Sequence, residues 1–147
     1  MFRHKTILIC AAAALLWAAP AWAASFEAQL DPAPFNATSR ATVIDSEGQV
    51  TATLEGRTLS VRGTFSNLSS PATAASFRVG LAKGVLGDAI GGTLTVTSAT
   101  QGTVAGSIKL TSAQLAALNK QSLYIRIDSE KAPDGHLQGW LEPAGSN

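Results

Sequence analysis

Apolar and polar residues alternate with a period of two in short segments spread along this chain. Phe26, Ala28 and Leu30 alternate with polar neighbours, and residues 50–54 and 59–65 repeat the pattern. Successive side chains of a β-strand point to opposite faces, so this alternation predicts short strands with one buried face. Further segments of this kind span residues 77–81, 94–96, 104–110, 123–127 and 136–142. The chain is therefore predicted to be all-β, as an antiparallel immunoglobulin-like β-sandwich or a Greek-key barrel.

Turn and cap residues predict how two of these segments are joined to their neighbours. Glu55-Gly56 lies between two alternating segments and predicts a hairpin, because glycine adopts positive φ without strain. Thr111-Ser112-Ala113-Gln114 matches a helix capping box, and Leu115 and Leu118 follow on one face. We therefore expect one short helix before the last two strands.

The beginning of the chain has the three parts of a secretory signal peptide. A basic head at residues 3–5 precedes an apolar run from Thr6 to Ala19, and Ala21-Trp22-Ala23 supplies a small-x-small cleavage site. The run is shorter than the roughly 20 apolar residues that a membrane span needs. We expect residues 1–23 to be removed near Ala23, leaving a single domain over residues 24–147 in the periplasm or outside the cell.

Removal of this segment would change the chemistry available to the protein. The only cysteine, Cys10, lies inside it, so the remaining domain would have no disulfide and no thiolate. Loss of Arg3 and Lys5 reduces the 11 basic side chains to nine, against ten acidic ones. These charges are scattered and form no basic stripe, so nucleic acid is not expected as a partner. No other apolar stretch reaches membrane-spanning length, so membrane association is expected only through a partner complex.

Three segments near the end resemble the closing part of the chordin-type (CHRD) domain. Residues 110–118 resemble its capped helix, residues 123–127 its "LYVNVHT" strand, and residues 132–141 its "P-G-E-I-R-G-Q-L" hairpin. Residues 26–34 are similar to the opening strand of that family and its proline-bearing continuation. The resemblance implies an antiparallel β-sandwich, secretion and protein interaction, without an established enzymatic activity.

The chain departs from this family at its histidines. Ser76-Phe77-Arg78 stands where the family carries "H-I-H", and Asp128-Ser129 replaces the third histidine and its threonine. His136 and Gln138 stand in place of the glutamate and arginine of "G-E-I-R-G". A metal or redox function carried by the family's histidines is therefore not expected here, and we expect no cofactor.

Residue types that carry catalysis or bind metals are sparse after residue 23. His136 is the only histidine there, and Asp128 or Asp134 could join it only in a weak ion site. A surface histidine beside a turn is the favoured interpretation of His136. No G-x-S-x-G motif accompanies it, and the carboxylate pair Asp45 and Glu47 lies near a turn, where such pairs face water. The chain is therefore predicted not to be an enzyme.

One group of side chains on the last two strands is a candidate interaction surface. Alternation places Tyr124 and Arg126 on one face, and Trp140 and His136 lie on the neighbouring closing strand. Tyrosine, arginine and tryptophan are enriched at binding hot spots. The alternative is a second buried face, because tryptophan is usually largely buried.

These observations predict a non-catalytic, exported accessory or interaction domain with a protein partner. One concrete form is the small non-haem subunit of a membrane-associated periplasmic dehydrogenase complex. The alternative is a periplasmic metal- or ligand-binding module, and a third hypothesis is an enzyme acting on extracellular polymers.

Overall fold

A computed structural model describes residues 23–146. The predicted signal peptide lies, except for Ala23, outside the described residues. Within them, no helix combines the length and the apolar character needed to cross a membrane. The elements are β1 Ala24–Pro32, α1 Arg40–Val43, β2 Glu47–Glu55, β3 Thr58–Ser66, β4 Ala72–Val79, β5 Asp88–Ala89, β6 Thr93–Val96, β7 Gly102–Lys109, α2 Ser112–Asn119, β8 Leu123–Ser129, β9 Leu137–Trp140 and β10 Glu142–Pro143.

The strands form one curled antiparallel sheet. Its order is β5-β4-β8-β9-β1-β2-β3-β7-β6, and β10 pairs with β1. Near the two edges of the sheet, β4 and β6 approach each other, so the inner face wraps around a single core. The prediction of an all-β antiparallel fold is confirmed.

The inner face is built by the apolar members of the alternating segments. Complete burial of one large aliphatic side chain stabilises the fold by about 1.5–3 kcal/mol, so the alternation specifies both the strands and the core. The largest aliphatic and phenyl side chains without appreciable exposure are Leu30, Leu59, Phe77, Leu110, Leu118, Leu123, Ile125, Ile127, Leu137 and Leu141.

The predicted hairpin and capped helix are both present. Gly56 has a φ of 62° in the turn between β2 and β3. At α2, the backbone N–H of Gln114 donates to Thr111 Oγ1 at 3.2 Å, and the N–H of Thr111 donates to Gln114 Oε1 at 3.0 Å. These reciprocal bonds satisfy two N–H groups that a helix start leaves without partners.

A second helix, α1, was not expected from the sequence. The side-chain oxygen of Asn36 accepts hydrogen bonds from the backbone N–H groups of Thr38 and Ser39, both at 2.9 Å. These bonds fold the chain into a turn that the four-residue helix Arg40–Val43 continues. So short a helix has no apolar periodicity, which is why the pattern of the sequence does not reveal it.

Strand β1 lies between β2 and the end of the chain. On one side it pairs with β2 from Ala24 to Leu30. On the other side it pairs with β9 at Asp31 and Pro32, and with β10 at Phe26 and Glu27. Both of these short ladders follow one register, and the pairing is interrupted between them. The interruption underlies a groove described below.

Strand β4 ends earlier than the alternation predicts. Phe77, Val79 and Leu81 alternate in sequence, so Leu81 is predicted to be buried, and this prediction is wrong. The backbone N–H of Gly80 donates to Ser122 O at 3.0 Å, and beyond it the chain leaves the sheet as a loop. Leu81 is 93% exposed at the start of that loop.

Candidate functional site

Three of the four side chains in the predicted interaction surface lie together on the outer face of the sheet. Tyr124 and Arg126 are on β8, and Trp140 is directly opposite Tyr124 on β9. The two aromatic rings are tilted by 32°, with their centroids 4.9 Å apart. Tyr124 nevertheless has no exposed surface, and Arg126 and Trp140 are only partly exposed. A partner therefore cannot contact the Tyr124 ring directly in this structure.

Tyr124 is bonded to the loop between β4 and β5, residues 80–87, which we call the pinned loop. The backbone N–H of Gly87 donates to Tyr124 Oη at 2.9 Å, and the Tyr124 hydroxyl donates to Gly87 O at 3.1 Å. Arg78 Nη1 also donates to Gly87 O, at 2.8 Å. The end of the loop is thus held by two side chains of the outer face.

The two ends of the pinned loop lie close together, and we call this point its neck. Both of its ends, Gly80 and Gly87, require glycine. A Cβ atom on Gly80 would lie 1.9 Å from the carbonyl oxygen of Val85. A Cβ atom on Gly87 would lie 1.8 Å from the carbonyl oxygen of Val79. Only residues without a Cβ allow the two backbone segments to approach this closely. Lys83 adds an ion pair with Glu142, so the middle of the loop is also tied to the sheet.

The pinned loop exposes three aliphatic side chains. Leu81 is 93% exposed, Leu86 54% and Val85 41%, although the backbone that carries them is held by hydrogen bonds and an ion pair. Single exposed leucines are common on protein surfaces, whereas three exposed aliphatic side chains within six residues give one loop an unusually large apolar exposure. The accessible apolar group of this region is therefore in the loop and not at Tyr124.

A polar groove lies beside the pinned loop, over the interrupted pairing of β1; we call it the β1 groove. Its volume is about 540 Å³, which is within the range of small-molecule sites. Lys83 forms part of one wall. The other polar side chains that line it are Glu27, Gln29, Asp31, Gln49, Gln138, Trp140 and Glu142.

His136, the fourth residue of the predicted interaction surface, is completely buried, so its interpretation as a surface histidine is wrong. The backbone N–H of Lys131 donates to Ser70 Oγ at 2.9 Å, and Ser70 donates to Ser129 Oγ at 3.1 Å. Ser129 Oγ lies 2.6 Å from His136 Nδ1. It also accepts the backbone N–H of Ala132, so its own hydrogen points to Nδ1. The proton of the neutral imidazole is therefore on Nε2, which has no partner among residues 23–146.

A serine bonded to a histidine is also the first contact of a nucleophilic site. Ser129 and His136 both have no exposed surface, so a substrate cannot reach Ser129 Oγ in this structure. The hydrogen bonds from Ser70 through Ser129 to His136 link the loop before β4 with the loop before β9. We interpret the chain of hydrogen bonds as structural.

Two positions that match histidines of the chordin-type pattern carry charges in this chain. Arg78 and Asp128 lie on the same outer face as Arg126, on the neighbouring strands β4 and β8. Arg126 Nε is 2.8 Å from Asp128 Oδ1, and both side chains are largely buried. Burial raises the pKa of Asp128, and the charges of Arg126 and Arg78 oppose that rise. In the described part of the chain, no group of three or more His, Cys, Asp or Glu side chains is placed to hold a metal ion.

The family model of the CHRD domain matches residues 26–141, from the first buried residue of β1 to the last buried residue before β10. The chain belongs to the CHRD domain family. No significant match was found among curated proteins or among solved structures. The resemblance found at both ends of the sequence is confirmed, and the match includes the pinned loop and His136.

Burial gives this CHRD domain a pH dependence. It lowers the pKa of His136 below the ordinary value of 6.5, because the imidazolium is less well solvated inside the protein. The unfolded chain then binds a proton more readily than the folded chain. We expect the free energy of unfolding to fall as the pH drops through 6.5, and to be independent of this group above it. The slope for one proton is at most about 1.4 kcal/mol per pH unit.

Urea unfolding of the wild type and of His136→Gln, between about pH 5 and pH 8, measures this slope. Glutamine can still accept a hydrogen bond from Ser129 but does not titrate, so the variant should lose the slope. The raised pKa of Asp128 acts with the opposite sign, because its contribution is present below 3.8 and is lost as the pH rises through its folded value. Parallel pH profiles for the two proteins would show that His136 is not the group responsible.

Sequence reasoning missed the two features that organise this face of the CHRD domain. One is the pinned loop, which could have been recognised from Gly80 and Gly87 on either side of a leucine-bearing segment. The other is the chain of hydrogen bonds that joins His136 to Ser129 and Ser129 to Ser70. Ser70 lies 59 residues from Ser129 in sequence, so no local pattern indicates it.

Proposed function

We propose that this CHRD domain is a non-catalytic, exported accessory domain that binds another protein through its pinned loop. The observation that carries the proposal is the exposure of Leu81, Val85 and Leu86 on a loop whose backbone is held by hydrogen bonds at Gly80 and Gly87. Family membership supports a role in protein interaction.

The fixed backbone matters because ordering a loop on binding costs conformational entropy. Complete burial of a leucine side chain contributes about 2 kcal/mol, and a mobile loop would lose much of that gain on being ordered. Here Tyr124 and Arg78 already hold the end of the loop before a partner arrives. Two or three leucine-sized anchors on a pre-ordered loop suit an apolar pocket on a partner protein.

The absence of catalysis is part of the proposal. The Ser129–His136 contact is the arrangement closest to a nucleophilic site, and it is sealed from solvent. A domain that only binds needs no cofactor of its own. This agrees with the small non-haem subunit of a membrane-associated periplasmic dehydrogenase complex, which we keep as the concrete form of the proposal. Membrane association would then depend on the partner.

The double variant Leu81→Ser, Leu86→Ser tests the loop. The loss of two apolar anchors should weaken partner binding at least about 100-fold, which corresponds to roughly 2.7 kcal/mol. Both side chains are exposed, so the free energy of unfolding should change by no more than about 0.5 kcal/mol. The measurement is quantitative co-isolation of the exported protein with its native partner, from solubilised membranes and from the soluble fraction.

Ile44→Ser is the matched control, because Ile44 is also an exposed aliphatic residue but lies on the segment after α1, away from the pinned loop. It should leave the partner bound. Equal retention of the partner by the double variant and by Ile44→Ser would overturn the docking role of the loop. A monomer confined to the soluble fraction would contradict the membrane-associated form of the proposal.

A further inference from the structure

The β1 groove is a second surface of the domain, with chemistry unlike that of the pinned loop. Side chains of β1, β2 and β9 form its floor, and Lys83 of the loop stands at its wall. Alternation along β1 turns Glu27, Gln29 and Asp31 away from the core, so all three reach the same face of the sheet. Because these groups are on strands, their relative positions are fixed before any ligand enters.

Gln138 is the side chain that points most directly to a ligand. The residue is only 7% exposed, and its amide is not among the buried side-chain groups that lack a hydrogen-bond partner in the described range. The buried polar atom without a hydrogen-bond partner in the lining, among the described residues, is Trp140 Nε1, and buried polar groups in proteins are normally satisfied. The remaining accessible surface of Gln138 opens on the groove. A hydrogen-bonding molecule in the groove would pair with the Gln138 amide in place of water.

The other amides extend this arrangement across the sheet. Gln29 is directly opposite Gln49 in the β1–β2 ladder, and Asp31 is directly opposite Gln138 in the β1–β9 ladder. The two rows are two residues apart along β1, which is about 7 Å. Each row therefore offers two hydrogen-bonding side chains, at a spacing that a molecule larger than one water can bridge.

The lining favours a ligand with hydroxyl groups. An amide offers two donors and an acceptor, and a hydroxyl group both donates and accepts, so three amides and the carboxylates complement neighbouring hydroxyls. A cation could use Glu27 and Asp31 but would leave the amide donors of Gln29, Gln49 and Gln138 unmatched. Glu142 is already paired with Lys83. Trp140 adds an aromatic surface to the polar groups.

We propose that the β1 groove binds an uncharged, polyhydroxylated carbohydrate. The amides of Gln29, Gln49 and Gln138 hold its hydroxyl groups, and the carboxylates of Glu27 and Asp31 accept from them. Binding is reversible and involves no bond cleavage. This function does not use the apolar side chains of the pinned loop, because only Lys83 of that loop lines the groove.

Calorimetric titration of the exported protein tests the proposal with three probes. Maltotriose and triacetylchitotriose are neutral saccharides with different substituents, and spermidine is a cation without hydroxyl groups. At least one trisaccharide should bind saturably at millimolar concentrations or below. Gln138→Leu and Gln29→Ala should each weaken that binding about tenfold, because each leaves a ligand hydroxyl without a partner.

Controls separate loss of the site from loss of the fold. Gln101→Ala removes an exposed amide outside the groove and should not change the affinity. Gln29 is exposed, so its variant stays informative if Gln138→Leu proves unstable. Glu27→Gln should weaken a trisaccharide no more than about threefold, but it should abolish spermidine binding if the groove is a cation site.

Two outcomes would overturn the carbohydrate site: no saturable binding of either trisaccharide, or binding of spermidine alone. The test of the carbohydrate site is also separate from the test of protein binding by the pinned loop. Leu81→Ser, Leu86→Ser should keep its affinity for the trisaccharide while it loses the protein partner, and Gln138→Leu should do the reverse.

Discussion

Replacing Tyr124 by alanine is expected to lower the free energy of unfolding by about 4 kcal/mol, a large part of the total stability of a domain of this size. Tyr124 has no exposed surface and packs against the ring of Trp140. The substitution leaves a cavity beneath the pinned loop and removes both hydrogen bonds to Gly87. Urea unfolding followed by circular dichroism measures the loss.

Tyr124→Phe is the matched variant that separates the ring from the hydroxyl. It keeps the aromatic packing and leaves the backbone N–H of Gly87 without a partner, so we expect a loss of about 1–2 kcal/mol. Hydrogen exchange at the Gly87 amide should accelerate more than exchange in the centre of β8. If Phe and Ala variants are equally unstable, the stability comes from the hydroxyl contact and the packing argument is wrong.

Gly87→Ala is expected to have the second largest effect, a loss of about 3 kcal/mol together with release of the pinned loop. The new Cβ atom would lie 1.8 Å from the carbonyl oxygen of Val79. The obstructing atom belongs to the backbone of a paired strand, so relief requires opening the neck of the loop. We expect protease sensitivity within residues 80–87 and weaker partner binding, although Leu81 and Leu86 are unchanged.

Gly91→Ala is the control for Gly87→Ala. Gly91 has open space around the position of a Cβ atom, and its backbone conformation is one that alanine adopts. Its variant should be at least as stable as the wild type, since alanine restricts the unfolded chain. An equally small effect of Gly87→Ala would mean that the neck can widen cheaply, and the loop would then not be pre-ordered for a partner.

Much of the sheet could be predicted because its determinants are local. The hairpin at Gly56 and the cap at Thr111 depend on residues within a few positions of each other. The alternation of Phe26, Ala28 and Leu30 predicted both a strand and its buried face. Local propensity, turn chemistry and binary pattern agree in these segments, so the sequence alone is informative there.

The candidate sites could be predicted only in part, because they depend on contacts between distant segments. Alternation placed Tyr124 and Arg126 on one face but could not show that residues 80–87 fold over Tyr124. His136 follows a polar turn, which predicts exposure, yet its ring is buried and bonded to Ser129, which is itself bonded to Ser70. Burial of a polar side chain is decided by which hydrogen-bonding partners reach it, and those partners come from elsewhere in the chain.

The position of β1 has a consequence for the order in which the chain can fold. One edge of β1 pairs with β2, which follows within about 25 residues. The other edge pairs with β9 and β10, which come much later in the chain. Closing so long a loop is slow, and the edge of β1 stays open until the last strand has been synthesised. If the domain is exported, as we propose, this delay would help, because a chain that cannot close its sheet early stays unfolded long enough to pass through a translocation pore.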